Sequence, residues 1–198
     1  MDTSQFPMSN TIRTFIAVEL PEKIIYTIGT VQEEIKSYGL KIRWVRPENI
    51  HLTLKFLGDI QEADTEKVAR AISESVTDHS AISLAVKGIG VFPGIKKPRV
   101  LWMGISKQLD LLTALQQTLD EKLEAMGFPK EKRLFKGHLT LGRIKSKIDP
   151  KTLYDVLKKF IQFESEPFFA DKIILYKSDL KPKGLVYTKL IEAYLTVS

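Results

Sequence analysis

Two of the three histidines in this 198-residue chain fall in the same tetrapeptide, His-Leu-Thr-Leu, spelled at His51 to Leu54 and again at His138 to Leu141. With 14 threonines and 23 leucines beside those three histidines, one chance copy is expected in about three chains per thousand of this composition. The repeat therefore reads as a working pair. Alternate side chains of an extended strand face opposite ways, so His51 and Thr53 share a face with Lys55, while Leu52, Leu54 and Phe56 share the other. His138 and Thr140 repeat the arrangement, with Leu139 and Leu141 behind them and Gly142 where the first copy has Lys55. Near neutral pH one imidazole can be neutral while another is protonated, which supplies a base and an acid worth roughly 10²- to 10⁴-fold each. Two strands that each offer an imidazole and a hydroxyl predict one shared acid–base site.

Such a site needs strands to carry it and helices to back them. Arg13 to Leu20 has the apolar character and length of a buried strand, and Pro21 then suits the first position of a helix. Ile24, Ile28, Val31 and Ile35 recur at helical spacing, with Gly39 as a stop. Ile42 to Val45 and the first motif strand, Ile50 to Leu57, follow, and Gly58 and Asp59 read as its end. Val68, Ala69, Ile72 and Val76 mark a second helix, and Ile82 to Val91 alternates as a strand. The loop Phe92 to Pro98, with two prolines and a glycine, is the expected boundary between halves.

Beyond that loop the order of elements recurs. Val100 to Ile105 reads as a strand, and Leu112, Leu115, Leu119, Leu123 and Met126 form the stripe of a long helix ended by Gly127. The second motif strand, Gly137 to Ile144, comes next, then a helix begun by Asp149 and Pro150. Phe168 to Tyr176 and Leu185 to Val197 read as two last strands, joined by a basic turn at Lys181, Pro182, Lys183 and Gly184. Strand, helix, motif strand, helix, strand appears twice, which predicts an α+β protein of two similar lobes related by an approximate two-fold axis. Residues 1–10 are expected to be a disordered leader and 11–198 a single bilobal domain.

Composition bounds the rest. A 22.5 kDa chain with 43% hydrophobic and 27% charged residues reads as an ordinary soluble globular protein. Its formal charge of +6 is compatible with a phosphate-bearing partner. The absence of cysteine excludes disulfides, thiolate zinc sites and a cysteine nucleophile. No apolar run is long enough to span a bilayer and no signal peptide precedes the first strand, so a cytoplasmic protein is expected.

Several stretches resemble a known family. Arg-Thr-Phe-Ile-Ala-Val-Glu-Leu-Pro from Arg13, Trp-Val-Arg-Pro-Glu-Asn-Ile-His-Leu-Thr-Leu-Lys-Phe-Leu-Gly from Trp44, and Gly-His-Leu-Thr-Leu-Gly-Arg from Gly137 look like the 2H phosphoesterases. Within that superfamily the nearest likeness is to RNA 2′,3′-cyclic phosphodiesterases, also called 2′-5′ RNA ligases, and Ser178 to Tyr187 resembles their C-terminal segment. The resemblance implies a bilobal fold with antiparallel sheets lining a central cleft. It also implies hydrolysis of a 2′,3′-cyclic phosphate on RNA to a 2′-phosphomonoester, the expected partners being RNA ends of this kind or small cyclic nucleotides. His51 would be the proton donor and His138 the acceptor. From the residues themselves, no cofactor, metal, membrane or obligate protein partner is expected. One departure is Gly137, where many members carry proline.

For that reaction the acid–base pair has a geometric reason, because in-line attack places the entering and leaving oxygens on opposite sides of phosphorus. Thr53 and Thr140 would donate hydrogen bonds to the non-bridging oxygens. Lys55 and Arg143, with Arg43 and Arg46, are either phosphate contacts or solvated surface. For Arg143 to face the cleft, Gly142 must introduce a bulge or the side chain must reach round. Trp44 and Phe92 are either base-stacking or core residues, and His79 reads as a surface residue without function. A metal-dependent hydrolase lacks its ligand spacing here, and a non-catalytic RNA-end or nucleotide-binding module would not need both histidines.

Overall fold

The computed structural model describes residues 10–182 and 184–196. The expected leader at residues 1–10 therefore lies, apart from Asn10, outside the described residues, as do Lys183 of the basic turn and Val197. Nine strands and four helices follow in the order β1 (Thr11–Val18), α1 (Glu22–Lys36), β2 (Ile42–Trp44), β3 (Leu52–Gln61), α2 (Thr65–Val76), β4 (Ile82–Phe92), β5 (Val100–Lys107), α3 (Leu109–Ala125), β6 (His138–Ile144), α4 (Pro150–Phe160), β7 (Phe168–Ala170), β8 (Lys172–Lys181) and β9 (Gly184–Tyr194). No described helix is long and apolar enough to cross a membrane.

The strands form two antiparallel sheets, β3-β1-β8-β9 and β2-β6-β5-β4-β7. The α+β, two-sheet architecture matches expectation, but the halves of the chain are not the lobes. β1 pairs with β3 and with β8, while β5 pairs with β6 and with β4. Each half thus keeps its first strand and its motif strand together and sends two strands to the other sheet, β2 and β4 from the first half and β8 and β9 from the second. The loop from Phe92 to Pro98, expected as the boundary, joins two neighbouring strands of one sheet. Phe168 to Tyr176 is likewise two strands in different sheets, parted at Asp171.

The helices cross over as well. Helix α1 buries Ile24, Ile28, Val31, Gln32 and Ile35, and α3 buries Leu112, Gln116, Leu119, Asp120 and Leu123 at the same spacing, with Leu115 in addition. Gln32 on α1 donates to the carbonyl of Leu141 on β6 at 3.0 Å and to that of Val45 at 2.9 Å. Its counterpart Asp120 on α3 pairs with Lys55 on β3. One apolar cluster, with Ile16 and Ile173 from the first sheet and Leu84 and Leu139 from the second, runs through both. At the start of α4 the Asp149 carboxylate accepts from the Thr152 amide at 2.8 Å, as its capping position predicts.

Both motif strands carry a bulge at the last residue of the motif. On β3, Ala17 faces Thr53 and Ile16 faces Lys55, which leaves Leu54 as the extra residue. On β6, Trp102 faces Thr140 and Leu101 faces Gly142, which leaves Leu141 extra. A further shift at Leu57, with Gly58 at φ +74°, lets β3 continue to Gln61 where Gly58 and Asp59 were expected to end it.

Candidate active site

Each bulge rotates the residues beyond it onto the other face. Directly opposed residues of an antiparallel pair share a face, so Thr53 lies with Ala17, and Phe56 lies with Phe15 two residues along the same side. Lys55 falls on the opposite side with Ile16. There it is buried to 6% exposure, ion-paired with Asp120 and hydrogen-bonded to the Pro129 carbonyl at 2.7 Å. The expected place of Lys55 among the phosphate contacts is therefore corrected, because the extra residue at Leu54 turns it into the core. Phe56 takes the cleft-facing position and is 68% exposed.

The second strand has the complementary outcome. Val100 and Trp102 lie on one face of β5, and their partners are Arg143 and Thr140, so Arg143 shares the face of Thr140. The bulge, not a long reach, aims it there, and the unpaired residue is Leu141 with Gly142 following. Glycine is required at 142 because a Cβ there would lie 2.4 Å from Ile42 Cγ2. The charge of Arg143 is felt by Tyr187, whose phenol is pushed up by burial and pulled back by that guanidinium. Tyr187 in turn meets the His51 ring edge-on at 5.3 Å, which ties the two halves of the site together. The strands also approach at their motif ends, where a Cβ on Gly137 would lie 3.6 Å from Leu52 Cδ1.

The two histidines are held in the same way. His51 Nδ1 lies 2.9 Å from the Asn49 carbonyl, and His138 Nδ1 lies 2.7 Å from the Lys136 carbonyl, each two residues upstream. A carbonyl only accepts, so Nδ1 carries a hydrogen in both rings and Nε2 is left to exchange protons. Neither Thr53 nor Thr140 has a side-chain partner among the described residues. Their hydroxyls are available to a ligand.

The surroundings of the two rings differ. His51 stacks on Phe15 with centroids 4.4 Å apart, and Tyr176 and Tyr187 close round it. Burial pushes its pKa down to about 4, and the Asn49 carbonyl opposes that shift. His138 is met edge-on by Phe92 at 5.1 Å, with Trp102 behind, and the Lys136 ammonium lies 5.4 and 5.2 Å from the centres of those two rings. A cavity of about 170 Å³ opens beside His51, lined by Glu19, Asn49, Tyr176, Tyr187 and Lys189.

Of the other residues singled out in the sequence, Phe92 lies against His138 and Trp44 does not. Trp44 packs on the core with the Lys36 ammonium over its ring. Arg43 sits opposite Arg143, and His79 is half-buried and bonded to Thr118 Oγ1 at 3.2 Å, a structural role. Sequence reasoning missed Phe15, Phe56, Trp102, Lys136, Tyr176 and Tyr187. Phe15, Phe56 and Tyr187 lie inside three of the segments that carry the family resemblance, which was the available signal.

The geometry can be set beside known proteins. Against the curated proteins, the chain is 40% identical over 173 residues to an RNA 2′,3′-cyclic phosphodiesterase of Aquifex aeolicus, covering 85% of this chain and 92% of that one. It is 36% identical over 181 residues to one of Methanocaldococcus jannaschii, covering 91% and 99%. Among solved structures, a Thermus thermophilus protein superposes with TM-score 0.77 at 25% identity, over 93% of this chain and 98% of that one. Apo LigT of E. coli shares the fold, with TM-score 0.76 at 23% identity over 95% and 99%. The model of LigT like phosphoesterases matches twice, over residues 18–102 and 104–187, and each match contains one His-Leu-Thr-Leu strand. Two matches in tandem, on a fold whose equivalent strands present equivalent histidines, place this chain in the LigT like phosphoesterase family, the 2H phosphoesterases.

Proposed function

We propose that this protein is an RNA 2′,3′-cyclic phosphodiesterase that opens a terminal cyclic phosphate to a 2′-phosphomonoester, with His51 as proton donor and His138 as proton acceptor. The observation that carries the reading is the matched restraint of the two rings, Nδ1 on a carbonyl and Nε2 free, on two equivalent strands. The names borne by the relatives from A. aeolicus and M. jannaschii support the choice of substrate.

In this scheme water attacks phosphorus and its proton passes to Nε2 of His138 as the new P–O bond forms. The bond from phosphorus to O3′ breaks on the far side, and O3′ takes the proton from Nε2 of His51. Thr53 and Thr140 donate to the non-bridging oxygens, where charge builds up, and Arg143 adds a cation on the same face. His51 rests neutral in the free protein, so the negative charge of the bound phosphodiester has to favour its imidazolium form. An RNA 5′-hydroxyl in place of water would lead through the same proton transfers to a 2′-5′ linkage, which is the ligation we assign to this centre.

The test is to incubate the protein with a nucleoside 2′,3′-cyclic phosphate and identify the product. A 2′-monoester is expected. A 3′-monoester would overturn the assignment of the leaving oxygen, and no turnover with either RNA ends or small cyclic nucleotides would leave a non-catalytic binding module.

A further inference from the structure

Strands β2 and β6 bring two arginines face to face. Arg43 sits directly opposite Arg143, and both are exposed. The neighbouring pair, Ile42 and Ile144, packs on the core, which turns both guanidinium groups to the face that carries Thr140. Like charges directly opposite each other weaken a strand pair. Among the described residues neither arginine has a carboxylate partner, whereas eleven lysines elsewhere do. The repulsion is thus left unrelieved within the protein.

The positive charge continues outward. Lys41 precedes β2, and Lys145 and Lys147 follow β6; all three are exposed and without an ion pair among the described residues. Lys41 and Lys147 share a depression with Asp149, but that carboxylate already accepts from the amide and hydroxyl of Thr152, at 2.8 and 2.7 Å. Because β2 is the edge strand, no further strand among the described residues covers the ribbon on that side. Residues two apart along a strand are roughly 7 Å apart, a spacing similar to that of successive phosphates in a single strand.

We infer that the β2–β6 ribbon is a phosphate track for the RNA strand that leads to the cyclic end. Arg143 and Arg43 hold backbone next to the reacting nucleotide, and Lys41, Lys145 and Lys147 hold the phosphates beyond it. This deepens the function proposed above and rests on it: the favoured substrate is a single-stranded RNA end several nucleotides long, and a mononucleotide fills only the inner part of the site.

The experiment compares the full chain with a Lys41→Ser, Lys145→Ser, Lys147→Ser variant on two substrates, a nucleoside 2′,3′-cyclic phosphate and an eight-nucleotide RNA bearing the same terminal group. Each phosphate contact on a single strand adds about 0.7 to the slope of log affinity against log salt. Losing three should flatten the slope by about 2, so between 50 and 200 mM salt the wild type should lose roughly 20-fold more oligonucleotide affinity than the variant does. Mononucleotide turnover should be unchanged. An unchanged oligonucleotide slope, or equal losses on both substrates, would overturn the track. If neither substrate turns over, the proposed reaction falls, and the salt slope for binding an RNA with a terminal 2′-phosphate then decides the track by itself. Lysine-dependent binding to phosphatidylserine vesicles with an unchanged RNA slope would make this face a lipid-binding surface and refute the inference.

Discussion

His51 should titrate near pH 4 in the free protein and two to three units higher once a phosphate occupies the site. Its ring lies against Phe15 at 4.4 Å with Tyr176 and Tyr187 around it, and burial takes its pKa from 6.5 to about 4. That shift corresponds to about 3 kcal/mol against the charged ring. A single negative charge about 4 Å away, at an effective dielectric near 20, returns about 4 kcal/mol. The substrate's own charge is therefore of the right size to protonate the donor. An NMR titration of the His51 Cε1 proton, with and without saturating nucleoside 2′-monophosphate, measures both midpoints. A free midpoint near 6.5 would refute the burial argument, and a shift of less than one unit on binding would leave His51 neutral and make it the better acceptor. The sign also carries to stability. A histidine whose folded pKa is depressed favours folding fully above its unfolded pKa, and that contribution, about 3 kcal/mol, should be lost as pH falls from about 6.5 to 4.

Replacing either His51 or His138 by alanine should abolish turnover while near-UV circular dichroism stays native; a folded single variant with near-native activity would end the paired mechanism. Thr53→Ala or Thr140→Ala should lower kcat by roughly 10- to 1,000-fold, around and below the loss of one oxyanion donor, and an unaffected double variant would make both structural. Lys55→Met strands the Asp120 charge in the interior and should cost about 3–5 kcal/mol in urea unfolding. Adding Asp120→Leu should recover part of it, and no loss in the single variant would mean the pair is not a buried strut. Treatment with EDTA should leave hydrolysis intact, and a loss restored by zinc or manganese would favour metal chemistry.

What could be read from the chain was local. The alternation of His51, Leu52, Thr53 and Leu54 is complete within four residues, so the faces of the histidine and threonine followed from strand period alone. Lys55 and Phe56 did not, because their faces depend on how β3 aligns with Ile16 and Ala17 of a distant strand, and one unpaired leucine inverts them. Gly142 gave a hint of the matching bulge on β6, since glycine in a strand often marks one. The wall of Phe15, Tyr176 and Tyr187 comes from three strands, and each residue alone looks like ordinary strand sequence. Only the order β3-β1-β8-β9 makes them neighbours of His51. The traded strands were hidden for a related reason, since element order along the chain is the same whether a half closes on itself or exchanges two of its strands.

That exchange governs how the molecule can be made. Phe15 on β1 is opposite Tyr176 on β8, so a chain leaving the ribosome must carry β1 through some 161 further residues before its partner exists. At 5–20 residues per second this is roughly 8 to 32 s. During that interval β1 and β3 can pair, but the flank of β1 that β8 will cover stays open, an apolar edge suited to chaperone capture or to pairing with another nascent chain. Synthesis should therefore be the most vulnerable stage for this protein, and a ribosome stalled after β6 would hold both histidines on a chain whose first sheet still lacks two of its four strands.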